Sequence, residues 1–212
     1  MADVTVPSAT EAYGIAWREL QRRFLELLLV AVVWVLASAP SAWLQDNILG
    51  VAYHVLVLGP VGFGGMYAFL RAVRGESPEV GDLLVPFQRC YVQAVLASLL
   101  VSVLVGIGTV LLIVPGVIAA VRLAWVPYLV VDEGYDAVGA IRESWERTRG
   151  HGWTIFGIFL IAIPLVLIGL LLLVVGIIPA MMLVQLAWAV PYAAVARGAR
   201  RAREVGADLV TP

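Results

Sequence analysis

Four uncharged stretches take up most of this chain and leave it few ways to fold. Leu27 to Gln45 and Asn47 to Leu70 carry no formal charge, Cys90 to Val131 is interrupted only by Arg122, and Gly150 to Ala196 carries none. One helical crossing of a bilayer takes roughly 20 consecutive apolar residues, so the first two stretches hold one crossing each and the two longer ones hold two each. Each long stretch has a breaker near its middle: Val114-Pro115-Gly116 in one, Gly176-Ile177-Ile178-Pro179 in the other. Proline removes a backbone donor there and glycine permits a tight turn. The expected fold is therefore all-α, a polytopic membrane helical bundle of six transmembrane helices arranged as three hairpins. Composition agrees. Of 212 residues, 62% are hydrophobic and 14% charged, with a mean hydropathy of +0.96, more apolar surface than a soluble fold of this size can bury.

Arginine placement sets the expected orientation. All 14 basic residues are arginine, and every one but Arg122 falls in four groups. These are Arg18, Arg22 and Arg23; Arg71, Arg74 and Arg89; Arg142, Arg147 and Arg149; and Arg197, Arg200, Arg201 and Arg203. They occupy the N-terminal segment, the two longer loops and the tail, while the three short hairpin turns have none. By the positive-inside rule all four groups face the cytoplasm, and so do both termini. Ala37-Ser38-Ala39 imitates a signal-peptide cleavage site, but Pro40 follows it and 26 residues precede the apolar run. The first helix is expected to remain as a span. The chain reads as a single membrane domain, 1–212, with 198–212 as a cytoplasmic tail.

Within that domain the pattern recurs three times, in units of about 8–70, 77–131 and 136–197. Each unit opens with a segment of amphipathic helical pattern. Pro7-Ser8-Ala9-Thr10-Glu11 is a capping box ahead of Ile15, Trp17, Leu20 and Phe24. Ser77-Pro78-Glu79 precedes Leu83, Leu84 and Phe87. The third segment, Asp136 to Arg149, sets Val138, Ile141 and Trp145 on one face and Arg142/Glu146 and Glu143/Arg147 pairs on the other. Such helices lie in the membrane interface or dock a soluble partner. The second helix of each hairpin repeats more tightly, since Arg122-Leu123-Ala124-Trp125-Val126-Pro127-Tyr128 resembles Gln185-Leu186-Ala187-Trp188-Ala189-Val190-Pro191-Tyr192. Pro60, Pro127 and Pro191 stand 67 and 64 residues apart.

The repeat brings out three polar residues inside apolar helices. His54, Arg122 and Gln185 each follow an outer turn by about six residues, roughly 9 Å at 1.5 Å per residue, which sets them at one depth in the outer half of the bilayer. A guanidinium there costs several kcal/mol unless it finds partners. Arg122 either snorkels to helix-end carbonyls near Pro115 and Pro179 or faces inward and receives an anionic group such as a lipid phosphate. The nearest outer acid is Asp46. Pro60, Pro127 and Pro191 are expected to kink their helices. Gly62, Gly64 and Gly65, with Ala94, Ser98, Ser102 and Gly106 at four-residue steps, mark close helix packing. Arg197, Arg200, Arg201 and Arg203 form a juxtamembrane cluster that binds anionic headgroups or only sets topology.

Chemistry-bearing motifs are few. Cys90 is the one cysteine, and His54 and His151 are the two histidines, expected near opposite membrane faces. No metal-ligand, nucleophile or phosphate-loop pattern occurs, and Gly62-Phe63-Gly64-Gly65 follows no strand. Asp132-Glu133 at the inner boundary reads as a solvated or capping pair. The net charge of -1 gives no field for nucleic acid. No cofactor and no catalytic residue is expected.

The stretch Leu111 to Leu160 has a recognisable layout: the Pro115-Gly116 turn, the Asp132-Glu133 exit, Ser144-Trp145-x-x-Thr148-x-Gly150, then an apolar run. It resembles the membrane domain attached to some glycerophosphoryl diester phosphodiesterases and stand-alone bacterial inner-membrane proteins of the YciC kind. The resemblance implies a bacterial inner-membrane location. It also implies that phosphodiesterase activity resides in a separate soluble domain, so no catalytic residue carries over. The expected function is non-catalytic: binding of membrane lipids or of a membrane partner, a second copy included, as an accessory to an export or envelope system. The alternative is a small transporter or channel with its polar site at His54, Arg122 and Gln185.

Overall fold

The structure, a computed structural model, describes residues 6–44, 48–111, 113–171 and 176–208. Every regular element among them is helical. Helix α1 (Ala9–Arg22) starts with the expected capping box, Ser8 and Glu11 satisfying each other's backbone N–H groups. The six candidate spans are α2 (Phe24–Trp43), α3 (Ile48–Tyr53) continuing through a π-helical turn at His54–Leu58 into α4 (Gly59–Val73), α6 (Tyr91–Leu111), α7 (Ile113–Leu123) with α8 (Val126–Asp132), α10 (Gly152–Leu171) and α11 (Ile177–Asp208). Each carries a window of 18 or more residues long and apolar enough to cross a bilayer. The chain is an all-α helical bundle and a multi-pass membrane protein.

The three prolines act differently. Pro60 cannot donate to the Leu56 carbonyl. The helix before it widens, Gly59 N–H reaching back to the His54 carbonyl, while the Tyr91 hydroxyl donates to Leu56 at 3.1 Å. Pro127 sits in the first turn of α8, directly after a break at Ala124 and Trp125. Pro191 lies inside α11, whose helix runs through it.

Of the segments before each hairpin, α1 and α9 (Ala137–Arg147) are amphipathic helices. The middle one is not: it is a 3₁₀ turn, Val80–Leu84, followed by the single-turn helix α5 (Val85–Arg89). Pro78, Gly81 and Pro86 within ten residues leave no room for a continuous helix. The second and third segments each pack on the hairpin that precedes them in the chain, and the first packs on the last hairpin. The Val80–Leu84 turn rests on α2 and α4, α9 rests on α6, α7 and α8, and α1 closes the order by resting on α10 and α11. Gly64 permits the first of these contacts, because a Cβ there would stand 2.5 Å from the Leu83 carbonyl oxygen. The Tyr13 hydroxyl fixes the last by donating to the Ile158 carbonyl at 3.0 Å.

Arginine ion pairs tie the units together at the end of the bundle that carries the arginine groups. Arg71 meets Asp82 at 2.7 Å, Arg74 grips Asp132 with both terminal nitrogens, and Arg23 donates to the Gly75 carbonyl. Exposed Trp17, Trp145 and Trp153 belong to the segments at this end, and exposed Trp43 to the other, as interfacial tryptophans do.

Candidate functional site

Arg122 lies in the last turn of α7, where carbonyls lack amide partners from their own helix. The chain reverses after α8 through Gly134, at φ +71°, so that α9 packs back against α7 and α8, while the break before Pro127 leaves the Arg122 carbonyl open to it. From there the Ser144 hydroxyl donates to the Arg122 carbonyl at 2.7 Å, with Thr148 Oγ1 at 3.4 Å and also bonded to the Ser144 carbonyl at 2.8 Å. Both hydroxyl residues are buried. The serine and threonine of the Ser-Trp-x-x-Thr-x-Gly pattern therefore serve as a side-chain cap for a broken membrane helix. Its glycine, Gly150, lies in the turn between α9 and α10 at φ +86°, a conformation that favours glycine.

The guanidinium of Arg122 stands over the Trp145 ring, 5.7 Å from its centroid. One of its nitrogens, Nη1, is buried and has no partner among the described residues. Arg122 lines a cleft of about 630 Å³ whose other walls, among the described residues, are Val117, Ile118, Val121, Gly150, Gly152, Trp153 and Phe156. Arg122 thus sits beside α9 and the start of α10. This corrects the expected anchoring at Pro115 and Pro179. The spacing from the turn is kept, since α7 is unbroken from Ile113 to Leu123, and it is α9 and the start of α10 that come up to Arg122.

His54 and Gln185 lie elsewhere. His54 is exposed in the π-helical turn. Gln185 lines a separate cavity of about 280 Å³ between α2, α4 and α11, walled by Val30, Trp34, Gly62, Phe63 and Met182 among others. The two cavities share no residue. Asp46 lies outside the described residues.

A second constellation, at the Asp132-Glu133 exit, is not a solvated pair. Arg74 holds Asp132 at 2.5 and 2.6 Å, Arg147 holds Glu133 at 2.5 and 2.9 Å, and the Tyr192 hydroxyl reaches both acids at 3.2 and 3.0 Å. Burial pushes the Glu133 carboxyl up, but the hydrogen bonds and charge of Arg147, with the Tyr192 hydroxyl, hold it below the ordinary glutamate value. Burial works against the Arg147 charge as well, and its bonds to Glu133 and Glu143 still leave it held more firmly than usual. Arg200 joins Asp132 at 3.3 Å, and Arg197 donates to its own Ala193 carbonyl. Those two tail arginines are engaged within the chain, and the side chains of Arg201 and Arg203 lie outside the described residues. Sequence reasoning could have found this network, because two adjacent acids ending an apolar run require cations nearby.

Between the cleft and this network runs a file of rings. His151 and Trp125 centroids are 6.5 Å apart, Trp125 meets Tyr192 edge-on at 6.0 Å, and Tyr192 stacks on Tyr128 at 4.8 Å. Trp125 Nε1, the Tyr128 hydroxyl and His151 Nδ1 are buried without partners among the described residues.

Residues 99–200 match the model of a family described as a domain of unknown function (DUF7847). That stretch contains the whole Arg122 cleft, the Ser144 and Thr148 cap, and both exit acids, so the match spans what is built around Arg122. No solved structure matches the chain.

Proposed function

We propose that this chain is a non-catalytic protein of a bacterial inner membrane that binds lipid at the Arg122 cleft and assists an export or envelope system there. The observation that carries the reading is the part-buried guanidinium of Arg122, with no ion-pair partner among the described residues, at one end of an apolar cleft. A cation inside an apolar span without a counter-charge is costly, and an amphiphile with an anionic head and an apolar tail supplies what that site lacks. The likeness to phosphodiesterase membrane domains and YciC-type proteins supports the location and the lack of catalysis. The grouping of 13 of the 14 arginines supports cytoplasmic termini. The three-unit pattern, read as an internal repeat, is supported by the cyclic packing of each opening segment on the hairpin before it. A membrane-protein partner or a second copy remains within this reading through the exposed faces of α1 and α9. The transporter alternative draws less support, because His54, Arg122 and Gln185 line no common cavity among the described residues.

Gentle extraction followed by native mass spectrometry tests the reading. Lipid should remain on the wild-type protein and be reduced by Arg122→Gln. Retention of no lipid would overturn it. With Cys90 replaced by serine, labelling of single cysteines placed at residue 142 and residue 43 checks orientation: the first should react only from the cytoplasmic side and the second only from outside.

A further inference from the structure

Which lipid the cleft takes can be read from how its polar end is built, granted the lipid-binding reading above. Helices α7 and α10 run in opposite directions beside it, so Arg122, near the end of α7, and Gly152, at the start of α10, stand at the same end. Val117, Ile118 and Phe156 lie more than one turn further along their helices, roughly 6–7 Å away at 1.5 Å per residue. The cleft therefore has one polar end and one apolar end, and its volume falls within the range of small-molecule sites.

That polar end offers donors. The first intrahelical bond of α10 runs from Ile155 N–H to the His151 carbonyl, so the amides of Gly152, Trp153 and Thr154 are the orphan donors of that terminus. They add the positive end of a 20-residue helix dipole to the guanidinium. The one acceptor Arg122 brings, its carbonyl, is already taken by Ser144 and Thr148. The ring of Trp145 lies beneath the guanidinium, and Trp153, 85% exposed, stands at the rim. Gly150 and Gly152 have open space where a Cβ would stand, so the backbone borders the cleft directly.

We propose that the cleft holds one net-anionic, phosphate-headed lipid. Its phosphate sits between Arg122 and the first turn of α10, and one acyl chain lies along Val117, Ile118, Val121 and Phe156. A phosphate presents several acceptor oxygens to donors arriving from two directions, which a guanidinium and a helix N-terminus together match. A choline head would set a second cation beside Arg122, so zwitterionic lipid is disfavoured. The apolar walls favour a lipid over free phosphate.

The test uses the full chain in nanodiscs of equal parts phosphatidylglycerol and phosphatidylcholine, extracted gently and weighed by native mass spectrometry. Wild type is expected to retain phosphatidylglycerol over phosphatidylcholine by about tenfold, the scale of one well-placed charge interaction at a helix terminus. Arg122→Gln should bring the ratio near parity. Gly152→Leu, at a position that lines the cleft and has open space around an added Cβ, should remove retention of both lipids while the helical melting curve stays that of a folded protein. Inorganic phosphate added in excess should displace no lipid, and displacement would overturn the acyl-chain half of the assignment. Parity in the wild type overturns the headgroup assignment. A preference that survives both substitutions places the lipid away from Arg122 and overturns this inference together with the Arg122 site on which it rests, whereas parity alone leaves that site standing. Retention of no lipid overturns both.

Discussion

Replacing Ser144 with alanine isolates the cap on the broken fourth span. The Ser144 hydroxyl is buried and 2.7 Å from the Arg122 carbonyl, which has no intrahelical amide to fall back on. Stranding a buried carbonyl costs about 1–3 kcal/mol. Thr148 recovers part of that, but its hydroxyl is shared with the Ser144 carbonyl at 2.8 Å and stands 3.4 Å from Arg122. Ser144→Ala is therefore placed at about 1.5 kcal/mol and Thr148→Val at about half of that. The double variant should cost about 3 kcal/mol, more than the sum, because each hydroxyl covers in part for the other. Reversible unfolding in mixed micelles, titrated with a denaturing detergent and followed by circular dichroism, measures all three. If Ser144→Ala lies within about 0.3 kcal/mol of wild type, the usual scatter of such comparisons, or if Thr148→Val costs more than Ser144→Ala, the capping account fails.

The same measurement ranks the exit network. Asp132→Asn, which leaves Arg74 half-buried without its carboxylate, should cost about 3 kcal/mol, whereas Arg200→Ala, at the exposed end of the same network, should cost under about 1 kcal/mol. Glu133 gives the pH dependence. Its folded value is depressed, so its contribution is complete above the unfolded glutamate value of about 4.3 and is lost as pH falls through the folded one. Glu133→Gln should flatten the acid limb of stability against pH, and an unchanged limb would count against the pairing. Gly64→Ala should loosen the Val80–Leu84 turn from α4 and lower the melting temperature, while Gly62→Ala, with nothing within 4 Å of its added carbon, should not.

The spans, their pairing and the capping box of α1 were legible in the sequence because each rests on local causes: run length, breakers and an i, i+3 side-chain pair. The prolines were legible as disruptions but not in kind. Whether Pro60 gives a widened turn, Pro127 a break, or Pro191 an uninterrupted helix depends on what neighbouring helices offer the freed carbonyls, as Tyr91 does for Leu56. The middle opening segment was misread as a helix because hydrophobic spacing outweighed its two prolines.

Along the chain, Arg122 belongs to an apolar run, and sequence alone determined that such a charge inside a membrane helix requires a partner or a ligand. Only the tertiary structure decided where it stands. Ser144, Thr148 and Trp145, more than 20 residues further on, reach it because the turn at Gly134 folds α9 back and the helix break leaves the Arg122 carbonyl open. The cost of a buried charge is a property of the residue. What relieves it is a property of distant segments brought together, and the spacing of residues along the chain carries no measure of that distance.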